Sequence, residues 1–249
     1  MLNFARARER MVDHQIARRG VCDKSVLQAM RCVPRETFVE PGTEEYAYED
    51  WPLPIGEGQT ISQPYIVARM IEAAEIEPGE RVLEVGAGSG YAAALLSRIA
   101  ERVYAVERHR SLGEAARERW SKLGYDNINL RVGDGTRGWP EGAPFDAILV
   151  SAGSPAVPQA LKAQLVVGGR LVIPVDENAR GQTLLKITRR SETDYEKEDL
   201  EAVSFVPLVS EQGWSEDGRG SASNHISKGS KAKAWVGSLR RLFRRFRGT

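Results

Sequence analysis

Arg81-Val-Leu-Glu-Val-Gly-Ala-Gly-Ser-Gly-Tyr91 decides the fold. It reads as a buried strand that runs into a glycine turn and then into a helix beginning near Tyr91. Gly86, Gly88 and Gly90 lack a Cβ, so the backbone can turn through positive φ and a bound molecule can approach it at the helix N-terminus. The spacing is GxGxG rather than the dinucleotide pattern GxGxxG. Taken alone, the turn is compatible with a nucleotide-type ligand or with a purely structural role.

The following strand, Arg102-Val-Tyr-Ala-Val-Glu107, ends in a carboxylate about 20 residues past the glycines, the spacing of a ribose-diol acceptor. Asn129-Leu-Arg-Val-Gly-Asp-Gly135 closes a third strand with Asp134, and Phe145-Asp-Ala-Ile-Leu-Val-Ser151 makes a fourth. Acidic groups thus collect at the carboxyl ends of strands, where open α/β sheets bind ligands, and this points to an adenosine-containing cofactor. Solvated strand ends or helix caps would explain Glu107 and Asp134 singly, but not their company with the glycines.

Working outward, Gly168-Gly-Arg-Leu-Val-Ile-Pro174 reads as a fifth strand after a helix near 157–165, and 182–188 and 202–209 as a C-terminal hairpin. Seven strands with intervening helices near 91–100 and 111–123 predict an α/β, doubly wound, mostly parallel sheet of Rossmann-like type. Before it, residues 3–19 favour a helix with Met11, Ile16 and Val21 as packing points. Asp23 can cap a second helix that Pro34 ends. Residues 38–57 form an aromatic, Pro-rich loop of the kind that covers a site. Ser62 lies near the N-cap position, and Pro64 in the first turn, of a helix from Tyr65 to about Ala74, so capping is one reading of Thr60 and Ser62. The expected layout is a domain over 1–214, made of a helical and loop cap (1–64) and a core (65–214).

The formal charge of +1 hides an asymmetry: nine of the 35 Lys/Arg and none of the 34 Asp/Glu lie in residues 218–249, leaving −8 on the first 217. Residues 215–233 read as a disordered Gly/Ser/Lys spacer. Residues 234–249 read as a basic amphipathic helix with Trp235, Leu239, Leu242, Phe243 and Phe246 on one face, suited to an anionic membrane surface or an acidic partner and less to nucleic acid. Docking of that face on the domain is the bland alternative. Cys22 and Cys32 show no metal spacing, so free thiols and no metal are expected. Without an apolar run of about 18 residues or a leader pattern, the expectation is a cytoplasmic, monomeric enzyme that the tail could hold at a membrane.

Several blocks together resemble the protein-L-isoaspartate O-methyltransferases. They include Val33-Pro-Arg35, Pro52-Leu-Pro-Ile-Gly56, Gly58-Gln-Thr-Ile-Ser-Gln-Pro-Tyr65, the glycine turn, Gly133-Asp-Gly135, Gly169-Arg-Leu-Val-Ile-Pro174 and Phe205-Val-Pro-Leu208, over nearly all of 10–214. The Gly-Gln-Thr-Ile-Ser-Gln-Pro block is the most specific. The resemblance implies S-adenosylmethionine as cofactor and, as substrates, damaged proteins and peptides whose isoaspartyl α-carboxyl is methylated to start repair. It implies Glu84, Gly86, Ala87 and Gly88 around the cofactor turn, Glu107 on the ribose, and Asp134 with Gly135 bordering the adenine. Ser62 becomes the active-site serine, with Thr60 and Ile61 beside it at the methionine end. Glu36, Ala92, Ser151 and Gly153 depart from the family pattern next to the site and put fine substrate preference in doubt.

The rest of the sequence suits that chemistry. A carboxylate nucleophile is ionised near neutral pH, so methyl transfer to it needs alignment and exclusion of water rather than a strong base. No Ser-His-Asp or Cys-His set is evident. Competing readings are a same-fold methyltransferase with another carboxylate acceptor, a tail-tethered adaptor without catalysis, and a NAD-dependent dehydrogenase.

Overall fold

The computed structural model describes residues 3–178, 181–210 and 214; the spacer and amphipathic helix expected beyond Trp214 lie outside the described residues. The chain opens with α1 (Phe4–Met11), where the Asn3 side chain accepts the Arg6 amide at 3.0 Å. The helix loosens into a π turn over Val12–Ile16 and a 3₁₀ turn over Ala17–Arg19, and Gly20, at φ 99, ends the run. In α2 (Lys24–Cys32) the Asp23 carboxylate caps the Val26 amide at 2.9 Å. Met11, Ile16, Val21, Val26 and Met30 are buried.

A two-stranded antiparallel ribbon follows, β1 (Leu53–Pro54) with β2 (Thr60–Ile61), Leu53 opposite Ile61. Then comes α3 (Pro64–Ala73). Pro64 occupies its first turn, where a missing N–H costs nothing, and Gln63 takes the cap position without a side-chain capping bond. Ser62, expected near the cap, therefore lies outside the helix and its hydroxyl is not committed to capping it.

The main sheet is built from β3 (Arg81–Val85), β4 (Arg102–Glu107), β5 (Ile128–Val132), β6 (Phe145–Val150), β7 (Leu165–Asn178), β8 (Gly181–Arg189) and β9 (Tyr195–Val203), in the spatial order β5-β4-β3-β6-β7-β8-β9. The first five are mutually parallel, and β8 runs antiparallel to both of its neighbours. Between them lie α4 (Tyr91–Leu96), α5 (Arg110–Leu123) and α6 (Gln159–Ala163). Two expectations are corrected. The last strand is Tyr195–Val203 rather than 202–209, and the helix expected near 157–165 is only α6, because Leu165 already begins β7.

Alternation along β3 sorts its side chains. Leu83 and Val85 enter one apolar cluster with Ile148, Val150, Leu171 and Ile173, whereas Val82 enters the other with the N-terminal helices and α4. Glu84 shares the Val82 face and is 1% exposed, so a carboxylate is held in the larger core beneath α4. The chain moves from β3 outward to β5 and returns through β6 on the other side of β3, which opens a crevice at the carboxyl ends of β3 and β6. No described helix is long and apolar enough to cross a membrane.

Candidate active site

At the end of β3 the chain turns through Gly86, Gly88 and Gly90, at φ 86, 52 and 87. The amides of Gly86 and Ala87 both donate to the Val106 carbonyl, at 2.8 and 3.2 Å, which pins the turn to β4. Gly90 is obligatory for a packing reason: a Cβ there would lie 2.6 Å from Trp120 Nε1, which donates to the Gly90 carbonyl at 2.9 Å. A Cβ on Gly88 would meet Ile55 at 3.1 Å, so the β1–β2 ribbon closes tightly over the turn.

One cleft in two connected halves surrounds this turn, with Thr60, Gly86, Gly88 and Ser151 in both. The inner half is walled by Ile61, Ser62, Glu84, Ala87, Tyr91 and Ala92. The outer half is walled by Gln59, Glu107, His109, Gly135 and residues 206–209. Nine of the ten residues singled out from sequence thus meet in one place. The tenth, Asp134, does not line it: its Oδ1 accepts the amide and the hydroxyl of Thr136, at 2.9 and 2.7 Å, and so caps the 3₁₀ turn Gly135–Arg137 that brings Gly135 to the wall.

The two acids of the cleft are held differently. Burial pushes the Glu84 carboxyl up to about 8, with the charge of Glu107 adding to the effect and the Ser151 hydroxyl, 3.4 Å from Oε1, opposing it. Glu84 Oε2 is buried without a hydrogen-bond partner among the described residues. Glu107, 5% exposed, accepts the Gly88 amide on Oε2 and the His109 amide on Oε1, both at 2.8 Å. It therefore ties the glycine turn to the start of α5 while keeping free lone pairs toward the cleft. Outside, Glu57 accepts the Ser111 hydroxyl at 2.6 Å and lies 3.9 Å from His109 Nδ1, latching the ribbon onto α5.

The four departures resolve individually. Glu36 faces away from the cleft, accepting the buried Tyr48 hydroxyl and lying 3.7 Å from Arg8. Ala92 and Ser151 line the cleft, and Gly153 is a close-packed position against Gln182. Sequence reasoning missed the outer wall over 206–209, having read it as strand. Its signal was present: Pro207 and the buried Phe205 and Leu208 suit a tucked segment better than a ladder. Gly153 donates its amide to the Val206 carbonyl and accepts from the Leu208 amide, both at 2.8 Å, and these bonds fold that segment back over the mouth.

A seven-stranded doubly wound sheet with a glycine turn at its switch point, an acid ending the next strand and a loop-built cap over the turn defines a Rossmann-like methyltransferase. Comparisons with known proteins narrow the class. Residues 6–213 match the family model described as protein-L-isoaspartate(D-aspartate) O-methyltransferase. The chain is 58% identical over 207 residues to protein-L-isoaspartate O-methyltransferase 2 of Pelobacter propionicus, covering 83% of this chain and 92% of that protein. It is 60% identical over 205 residues to the protein-L-isoaspartate O-methyltransferase of Methylorubrum extorquens, covering 82% and 89%. It also superposes, with a TM-score of 0.69 and 28% identity, on a putative protein-L-isoaspartate O-methyltransferase from Plasmodium falciparum crystallised with S-adenosyl-L-homocysteine, covering 81% of this chain and 98% of that one. This chain belongs to the protein-L-isoaspartate O-methyltransferase family.

Proposed function

We propose that the protein transfers the methyl group of S-adenosylmethionine to the α-carboxyl of L-isoaspartyl residues in damaged proteins and peptides, the first step of their return to aspartate. The observation that carries this reading is the meeting of Thr60–Ser62 with the Gly86–Gly88 turn in one cleft, a substrate-side segment laid directly on a cofactor-type cradle.

The residues present fit the cofactor. A partnerless buried carboxylate oxygen on Glu84 suits an ammonium group, Glu107 has acceptor capacity for ribose hydroxyls, and Gly135, packed against Val85, lines the outer wall where an adenine would lie. When bound, S-adenosylmethionine supplies an electrophilic methyl on a sulfonium. The acceptor would be a carboxylate already ionised near neutral pH, so the chain need remove no proton from it. What the chain contributes is alignment. The Ser62 hydroxyl donates to the substrate carboxylate and orients it, Thr60 and Ile61 shape the methionine end, and Gly86, Ala87 and Gly88 form the floor. Asp134 acts at one remove, through the turn that presents Gly135. The ribbon and the 206–209 segment keep water out of the reacting centre.

The deciding test is transfer of labelled methyl from S-adenosylmethionine to one synthetic peptide in two forms, isoaspartyl and aspartyl. Labelling of the isoaspartyl form alone is expected. Cofactor binding without labelling of either form would replace this reading with another carboxylate acceptor or with an adaptor. The basic segment 234–247 supports a separate proposal, attachment to an anionic membrane surface or an acidic partner. Its test is binding of full-length protein, but not a version ending at Trp214, to anionic vesicles at low salt.

A further inference from the structure

Arg35 follows Val33-Pro34 at the end of α2 and is the largest fully buried side chain among the described residues. No carboxylate lies within ion-pair distance of it among the described residues. Burying an unpaired guanidinium is costly, and burial draws Arg35 down to about 10, still protonated near neutral pH. Its fork is spent on two loops. Nε donates to the Ala47 carbonyl at 2.7 Å, and one terminal nitrogen donates to the Ser62 carbonyl at 2.9 Å. The other terminal nitrogen, Nη1, is buried without a hydrogen-bond partner among the described residues. The guanidinium carbon lies 4.9 Å from the centre of the Tyr91 ring, and Tyr91 lines the same half of the cleft as Ser62. The charge therefore sits behind the wall that carries the serine. Two carbonyls ask only for N–H donors, so stability alone gives no reason for a cation here. An anionic acceptor does.

We propose that Arg35 is a positioning residue for the methyl transfer: its bond to the Ser62 carbonyl fixes the peptide that carries the hydroxyl, and its unneutralised charge draws the acceptor carboxylate to that hydroxyl. The proposal rests on the function proposed above. The two roles fall on different kinetic constants. Displacement joins an anion to a sulfonium and leaves both products neutral, so a cation near the carboxylate favours the bound ground state over the transition state and acts chiefly on KM. Fixing the Ser62 peptide aligns the reacting oxygen and acts chiefly on kcat.

The experiment uses full-length wild-type, Arg35→Lys and Arg35→Met proteins, an isoaspartyl peptide and its aspartyl twin, with cofactor affinity measured by calorimetry. Wild-type labelling of the isoaspartyl peptide establishes the underlying reaction independently; its absence sinks that reading rather than the role of Arg35. Given that activity, Arg35→Lys keeps the charge but cannot hold both carbonyls with one planar fork. It is expected to lower kcat about tenfold or more while KM stays within about threefold. Arg35→Met is expected to raise KM about tenfold or more in addition, with cofactor Kd within about twofold in both variants. A lysine variant with wild-type constants, or loss of activity that runs in step with loss of cofactor affinity, would overturn the proposal and leave Arg35 a strut of the cap. The lysine variant decides the matter even if the methionine variant does not fold.

Discussion

Glu84→Gln is the perturbation whose consequence can be worked furthest from the structure. In the unfolded chain a glutamate titrates near 4.5, and in the fold burial moves Glu84 to about 8. The folded state therefore holds one proton more than the unfolded state between those values. Stability attributable to this group is complete below about 4.5 and is lost as pH rises to about 8, with a slope approaching about −1.4 kcal/mol per pH unit. From pH 4.5 to 7 the loss amounts to about 3 kcal/mol, a sizeable part of the stability of an ordinary domain. Glutamine keeps the shape and cannot ionise. Chemical denaturation at half-unit pH steps should show the wild type losing stability relative to Glu84→Gln across that window, with parallel curves below it. On the proposed placement, S-adenosylmethionine would set its ammonium beside the carboxylate and favour the ionised form. Calorimetry near pH 7 in two buffers of different ionisation enthalpy should then report proton release from the wild type and none from the variant. Parallel stability curves throughout, with no difference in proton release, would refute the claim that Glu84 is held protonated in the free protein.

Four further outcomes are expected. Ser62→Ala should lower turnover at least tenfold with cofactor affinity within twofold, since its hydroxyl is assigned to the acceptor rather than to a helix cap; unchanged turnover in a steady-state assay would withdraw the assignment. Glu107→Ala removes the acceptor of the Gly88 and His109 amides and should weaken cofactor binding by about 1–3 kcal/mol, read by calorimetry. Gly90→Ala forces a Cβ into Trp120 at positive φ and should cost about 2–4 kcal/mol in denaturant unfolding, whereas Gly124→Ala, where a Cβ meets nothing within 4 Å, should cost less. Arg170 pairs with Glu80 at 2.8 Å and donates to the Ala74 and Glu75 carbonyls, joining β7 to the loop before β3. Arg170→Met should cost about 2–4 kcal/mol by leaving Glu80 without its cation and the two carbonyls without this donor, and a near-neutral change would show that water replaces the guanidinium.

The inner parallel strands β3, β4 and β6 were legible because they are mostly buried on both faces and so read as near-continuous apolar runs, whereas the half-buried edge strand β5 was legible from the Gly-Asp-Gly that closes it. The seventh strand was not. Tyr195-Glu-Lys-Glu-Asp-Leu-Glu-Ala-Val203 pairs only with β8 and exposes its charges on the sheet edge, a composition that protects an edge but erases the apolar alternation a reader looks for. The neighbouring apolar residues 205–209 drew the assignment instead, although they earn their burial by folding over the cleft mouth. The site followed the same logic. Residues fixed by backbone geometry, such as Gly86 and Gly88, announced themselves. Tyr91 did not, because its place depends on how the cap sits over α4, and Ser151 stood out only as a departure beside the site, its place in the wall following from β6 lying next to β3. Asp134 was legible from its motif, and its Oδ1 caps the turn that carries Gly135 to the cleft wall, a contact that motif alone does not show.

Two parts of the chain meet at this site with different structural resources, and that division explains where its charges are kept. The sheet supplies a rigid floor from strand ends, and two acids are buried there: Glu84 with one carboxylate oxygen lacking a hydrogen bond among the described residues, Glu107 accepting two amides with lone pairs to spare. The cap has no sheet to stiffen it, for its ribbon is only two residues long on each side. It is stiffened instead by side chains that cross between loops. Gln15 donates to the Tyr48 carbonyl, Gln63 and Arg19 converge on Asp50, and Arg35 spans Ala47 and Ser62. Of these crossings only Arg35 is wholly buried, and only Arg35 carries a charge that no acid answers at close range. A negative floor and a positive backing to the cap are the arrangement that a cationic methyl donor and an anionic acceptor require, and they hold the two apart in preference until the cleft brings them into line.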